Sequence, residues 1–165
     1  MPRLKKEGNS KCGAQPQEAP RVMSFGPLLG YLGYQIRQAQ AAVFRDLTAS
    51  IANLGVTPGE YGLLTMVDEN PGISQVDLVA VYRLDKSTLS LAVSRLVKRG
   101  LVRRMRSRSD RRYYALWLQP AGRGLLQKVR ARVEAQERTM DSALHRGERA
   151  LLLDMLQRVS RALNR

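Results

Sequence analysis

SQVDLVAVYRLDKSTLSLAVSRLVKRGLVRRMRSRSDRRYYALWLQ, residues 74–119, is the stretch from which the fold follows. Ser74 stands before a short apolar-periodic run that ends at Tyr82, the position of an N-cap. Leu78, Val79 and Tyr82 are its inner face. Arg83-Leu84 turns the chain, and Asp85 caps a second helix, DKSTLSLAVSRLVKRG. There Leu89, Val93, Leu96 and Val97 recur at helical steps and face inward. Ser87, Ser90, Ser94 and Lys98 share the outer edge, and Gly100 is the C-cap. Leu101 to Met105 and Arg112 to Leu118 read as two strands, the second rich in aromatic residues, joined by Ser107 to Arg111. The spacing therefore predicts helix, turn, helix and hairpin.

Charge is concentrated on that hairpin. The chain of 165 residues carries 28 Lys and Arg against 14 Asp and Glu, a formal +14. Between Arg95 and Arg112 lie Arg95, Lys98, Arg99, Arg103, Arg104, Arg106, Arg108, Arg111 and Arg112, against Asp110 alone. So +8 of the +14 sits in one short segment, whereas charge that serves only solubility is scattered. A field of this size attracts polyanions, nucleic acid before an anionic membrane or a ribosomal site.

Outward from the centre, Thr57-Pro58-Gly59-Glu60 has the form of a helix start: Thr at the cap, Pro at the first position, Glu three residues after the cap. Tyr61, Leu64 and Val67 continue the period, and Asn70-Pro71-Gly72 ends it. Before it, Leu28, Leu32, Ile36, Ala39, Val43, Leu47 and Ile51 form one stripe, which predicts a single long helix from Pro27 to about Asn53. Gly55 closes it. After the hairpin, Pro120 starts a helix to about Leu144 with Leu126, Val129, Val133, Met140 and Leu144 on its apolar side. A last helix, about Glu148 to Leu163, carries Leu152, Leu156, Val159 and Leu163. These three outer helices have more apolar surface than so small a central unit can cover, which predicts a helical dimerisation bundle. Residues 1–25 are polar, broken by Gly8, Gly13, Pro16 and Pro20, and are expected to form a flexible basic tail.

Other classes fit poorly. Cys12 is the only cysteine, so an intrachain disulfide is excluded. No apolar run reaches the ~20 residues that span a bilayer. The basic N-terminus lacks an apolar segment behind it, so the chain is expected in the cytoplasm. The densest charge sits on a hairpin rather than on an amphipathic helix, which argues against membrane binding. His145 is the sole histidine, expected at the junction of the last two helices, and no metal site, cofactor or catalytic pairing is suggested. The chain is not expected to be an enzyme.

Leu84-Asp85-Lys86-Ser87-Thr88-Leu89-Ser90, then Arg95-Leu96, Arg99-Gly100-Leu101-Val102 and Asp110-Arg111-Arg112, resemble the MarR-type bacterial transcription regulators. Thr57-Pro58, Asn70-Pro71-Gly72 and Pro120-Ala121-Gly122 support the resemblance, which covers roughly residues 28–163. Arg83 stands where the family often has Gly or Asn, and Tyr82 where an aliphatic residue is usual. The resemblance implies a mainly α fold with a small β-hairpin wing. A winged helix-turn-helix domain over residues 55–118 would join a helical dimerisation bundle from 26–54 and 119–165.

It implies a homodimer on double-stranded DNA. The recognition helix would lie in the major groove, with Ser87, Ser90 and Ser94 offering hydroxyls and Leu91 meeting a thymine methyl. Lys86 and Thr88 are placed for phosphate, and Arg95 and Lys98 for the backbone. The family's Asp-x-Arg wing pattern falls on Asp110 and Arg112, the aspartate orienting the guanidinium in the minor groove. Arg106, Arg108 and Arg111 would neutralise flanking phosphates. A solvated helix face and a solvated basic hairpin are the plain alternatives.

Family members commonly bind a small ligand that releases DNA. Tyr31, Tyr34, Arg37 and Tyr61 are the candidate effector residues, and residues 32–40 resemble regulators that answer aromatic acids or their coenzyme A thioesters. Packing tyrosines and a surface arginine are the alternative. The expected function is that of a repressor released from a pseudo-palindromic operator. A sequence-independent architectural nucleic-acid-binding protein would explain the charge equally well.

Overall fold

The structure is a computed structural model and describes residues 23–82, 86–106 and 114–164. The expected tail as far as residue 22, Cys12 included, the turn residues Arg83 and Leu84 with the Asp85 cap, and the wing-tip residues Arg108, Asp110, Arg111 and Arg112 lie outside the described residues, as does the side chain of Tyr82. Contact density divides the chain into two units, residues 1–37 and 38–165.

The first unit opens with a 3-10 turn over Gly26–Gly30 and continues into the start of α1 (Leu32–Ile51). The expected helix from Pro27 is thus interrupted. Pro27 is the second residue of the 3-10 turn, and Tyr31 is extended at φ −89°, ψ 126°. Gly26, Gly30 and Gly33 crowd this region, and glycine is a poor helix former because it loses the most backbone freedom. The Gln35 side chain donates to the Leu29 carbonyl at 2.7 Å, and the rings of Phe25 and Tyr34 lie 6.4 Å apart.

The second unit begins with the rest of α1, which buries Leu47 and Ile51. A short 3-10 segment over Ala52–Leu54 ends at Gly55 with φ +64°, the left-handed cap expected of that glycine. α2 (Pro58–Glu69) then starts with the anticipated reciprocal cap: Glu60 N–H donates to Thr57 Oγ1 at 3.2 Å, and Thr57 N–H donates to Glu60 Oε2 at 3.1 Å. Ser74 caps α3 (Gln75–Tyr82) in the same manner, its hydroxyl accepting from Asp77 N–H at 3.1 Å. α4 (Lys86–Lys98) leads into β1 (Val102–Arg106), which pairs antiparallel with β2 (Tyr114–Leu118) in register Val102↔Leu118 through Arg106↔Tyr114. α5 (Pro120–Ser142) and α6 (Glu148–Leu163) complete the chain, with His145 between them.

The core is one cluster: Leu63, Leu64 and Val67 of α2, Leu78 of α3, Leu89, Val93 and Leu96 of α4, Leu116 of β2, and Leu126 and Val129 of α5, among others. Two features fix α5 against this core. Gly122 sits so close to the Leu101 carbonyl that a Cβ there would collide with it, and would lie 2.7 Å from Leu118 Cδ1. Gln136 is buried, its amide donating to the Val43 carbonyl at 2.9 Å and to Asp46 Oδ2 at 2.7 Å. A buried amide needs such partners, and these tie α5 to α1. Arg149 of α6 pairs with Asp141 and, at 2.8 Å, with Glu137 of α5. The hydrogen bonds to these carboxylates, that to Asp141 first, raise the Arg149 pKa above its ordinary value. No helix among the described residues is long and apolar enough to cross a membrane.

Candidate nucleic-acid interface

α4 is positioned by its buried face. Leu89, Ala92, Val93 and Leu96 insert into the core, so the opposite edge faces outward by helical geometry. Lys86, Ser87, Thr88, Leu91, Ser94, Arg95 and Lys98 are exposed there, and Ser90 is half-buried. Leu91 is 59% exposed on that edge. Ser87, Ser90, Ser94 and Lys98 are the outer edge that the spacing predicts, whereas Leu91, Lys86, Thr88 and Arg95 are placed on DNA only by the family resemblance.

The hairpin stands beside α4. Alternation along β1 puts Val102 and Arg104 on the inner face, opposite Leu118 and Leu116. Arg104 therefore points back toward α4, where its Nη2 donates to Ser94 Oγ at 3.2 Å. Its Nε is buried and has no acceptor among the described residues. Ser94 thus joins the wing to α4. Arg106 is exposed at the end of β1, leading to the tip. Arg103 and Trp117 pair across the outer face, and Trp117 Cζ2 packs 3.2 Å from the position a Cβ on Gly72 would take. Between α3, α4 and the hairpin lies a cleft of about 480 Å³ whose described walls include Val76, Val79, Lys86, Ser90, Arg104 and Tyr114.

A second cleft, about 420 Å³, lies where α2 meets the end of α4 and is lined by Gly55, Thr57, Glu60, Arg95, Lys98 and Arg99. Glu60 Oε1 is 3.4 Å from Arg95 Nε, and Glu60 Oε2 is 3.8 Å from Arg99 Nη1. Sequence reasoning gave Glu60 only the helix cap. Its reach to α4 depends on how the two helices cross, which spacing does not report. Arg104 was counted only as charge, although strict alternation from Val102 places it inward.

The candidate effector residues are divided. Tyr31, Tyr34 and Arg37 belong to the first unit, with Tyr31 and Arg37 exposed and Tyr34 half-buried. Tyr61 belongs to the second, where it packs against the core. Among the described residues no cluster of three His, Cys, Asp or Glu side chains is arranged to hold a metal ion.

Comparison with known proteins bears on this arrangement. Residues 54–112 match the model of the MarR family. A Thauera aromatica protein assigned as a transcriptional regulator of the hcr operon is 36% identical over 137 residues, which span 82% of each chain. The structure resembles the transcriptional repressor CouR bound to a 23-mer DNA duplex, with a TM-score of 0.79 and 31% identity over 85% of this chain and 99% of that one. It also resembles CouR bound to p-coumaroyl-CoA, with a TM-score of 0.77 and 29% identity over the same shares. With a helix-turn-helix, an adjoining two-stranded wing and relatives of this kind, the chain belongs to the MarR family and is a winged helix-turn-helix, DNA-binding transcriptional regulator rather than an enzyme.

Proposed function

We propose that the protein is a homodimeric repressor that reads a pseudo-palindromic operator and releases it on binding a small aromatic acid or aromatic acyl-CoA. The observation that carries the DNA reading is α4: one face is locked in the core while Ser87, Leu91, Ser94 and Lys98 stand exposed on the other, beside the hairpin. Ser87, Ser90, Ser94 and Leu91 meet base edges. Lys86, Thr88, Arg95 and Lys98 meet the backbone. Asp110 and Arg112 reach the minor groove, with Arg106, Arg108 and Arg111 on phosphates. Short serine contacts discriminate modestly, so groove shape contributes to specificity. Two such units related by a twofold axis read half-sites about one helical turn apart. The exposed apolar residues of α6, Leu151 to Leu153, Met155 and Leu156, support pairing with a second copy.

The ligand reading is supported by the likeness to CouR, which has been seen with both DNA and p-coumaroyl-CoA. Such a ligand releases DNA only by binding one arrangement of the dimer more tightly than the other. The test uses the intergenic duplex beside the protein's own gene. The wild type should retain it about 10³-fold more tightly than unrelated duplex, as specific readers do. p-Coumaroyl-CoA or a related aromatic thioester should release it. Joint charge reversal at Arg108 and Arg112 should abolish retention and leave the twofold assembly intact. Equal affinity for unrelated duplex would instead identify an architectural protein.

A further inference from the structure

Glu60 does more than a helix cap requires. A capping glutamate needs one backbone N–H, and Oε2 has it from Thr57 at 3.1 Å. The carboxylate is nevertheless buried, with its side chain 8% exposed, and it also meets two guanidiniums, Arg95 on α4 and Arg99 just past the end of that helix. Burying a carboxylate is costly unless it is paired, so these contacts are part of what keeps it there. Arg95 is engaged through Nε, the inner edge of its guanidinium, and its side chain stays 56% exposed. The donors on its two Nη atoms, four of the five a guanidinium carries, are not used by that contact. Lys98 and Arg99 line the same cleft. The cleft therefore sets three cations beside one buried carboxylate, with the unengaged edge of the Arg95 guanidinium left to meet an anion from outside.

We infer that Glu60 is a positioning residue for DNA binding: it holds the Arg95 guanidinium, with Arg99 beside it, as a preformed clamp for one backbone phosphate next to the recognition helix. This rests on the DNA reading above. A guanidinium fixed beforehand loses less side-chain freedom on binding than a free one. The sign of the effect separates this role from simple electrostatics. Removing a negative charge from a protein of +14 should strengthen binding to any polyanion. Removing the group that aims a phosphate contact should weaken it.

The experiment measures affinity for the intergenic duplex against salt, by fluorescence anisotropy, for the wild type, Glu60→Gln, Arg95→Gln, the double variant, Arg95→Lys and Thr57→Ala. Glutamine keeps the shape of Glu60 and an oxygen for Thr57 N–H. Glu60→Gln should lose roughly tenfold in affinity despite the higher net charge, with a salt slope shallower by about 0.9, one phosphate's worth. Arg95→Gln should lose a similar amount, and the double variant no more than either, since coupled groups are not additive. Arg95→Lys keeps the charge but lacks Nε, and should lose as much as Arg95→Gln. It tests the inference independently of whether position 60 tolerates change. A capping role alone predicts that Thr57→Ala lowers the melting temperature, that Glu60→Gln, which keeps the cap, leaves both melting temperature and affinity near the parent's, and that the Arg95→Gln penalty is unchanged in the Glu60→Gln background. That result, tighter binding by Glu60→Gln, or wild-type binding by Arg95→Lys overturns the inference. If the wild type prefers its duplex while Glu60→Gln keeps full affinity, only the role of Glu60 fails. If the wild type shows no preference, the DNA reading fails with it.

Discussion

α4 has 13 residues and α6 has 16, and both separate apolar from polar residues at helical spacing. α4 buries Leu89, Ala92, Val93 and Leu96 within its own chain. α6 buries nothing, and Leu151, Leu152, Leu153, Met155 and Leu156 stand 42–52% exposed. The pattern alone thus says that a helix has an apolar face, and only packing says whose surface covers it. The apolar face of α4 is covered within its own chain. The last helix is tied to α5 by Arg149 on Glu137 and Asp141, and its leucines stand exposed.

The largest expected effect lies on the α4 side of this comparison. Leu96 is 1% exposed in the centre of the core, so Leu96→Ala should cost about 2–5 kcal/mol through lost burial and a residual cavity. Chemical denaturation should show this at any protein concentration. A cost under ~1 kcal/mol would mean that this core is looser than its packing indicates. Gly122→Ala comes next. Its Cβ would meet the Leu101 carbonyl, which is backbone and cannot swing away, as well as Leu118 Cδ1 in the core. Backbone must shift, and the overpacking should cost about 1–3 kcal/mol. Gly124→Ala, with open space around it, is the control and should be neutral or slightly stabilising.

Gly122 also marks what was legible beforehand. Pro120-Ala121-Gly122 gave the start of α5, because Pro belongs in a helix's first turn whatever surrounds it. The caps at Thr57 and Ser74, the inward residues of α4 and the bounds of α6 were equally local matters. What could not be read depends on distant partners. Gln136 looks like one more polar residue among the charges of α5 until Val43 and Asp46 stand opposite it. The break at Tyr31 went unseen because the apolar stripe runs through it unbroken, and periodicity weighs side chains rather than backbone angles. In the site, the exposed edge of α4 was legible as a helical face, whereas the Glu60–Arg95 and Arg104–Ser94 contacts join elements whose approach only the fold supplies.

The smallest effect on one chain should come from α6, and it sharpens the comparison most. Leu152 and Leu156 lie four residues apart, one turn of the same face, and are 44% and 42% exposed. Replacing both with glutamate removes little that a single chain buries. In dilute solution, where copies are apart, the change should cost under about 0.5 kcal/mol, as for surface positions generally. In concentrated solution the parent should gain stability by mass action as its copies associate, and the variant should not. Melting temperatures followed over a hundredfold range of protein concentration, with sedimentation at both ends, separate the two. A parent whose melting temperature ignores concentration and sediments as a monomer would show that nothing of its own kind covers α6. Loss of the concentration dependence in the variant alone would place the missing half of that helix's core on another copy of the chain. Specific DNA capture should then fail together with pairing, because one chain spans only half of a twofold site.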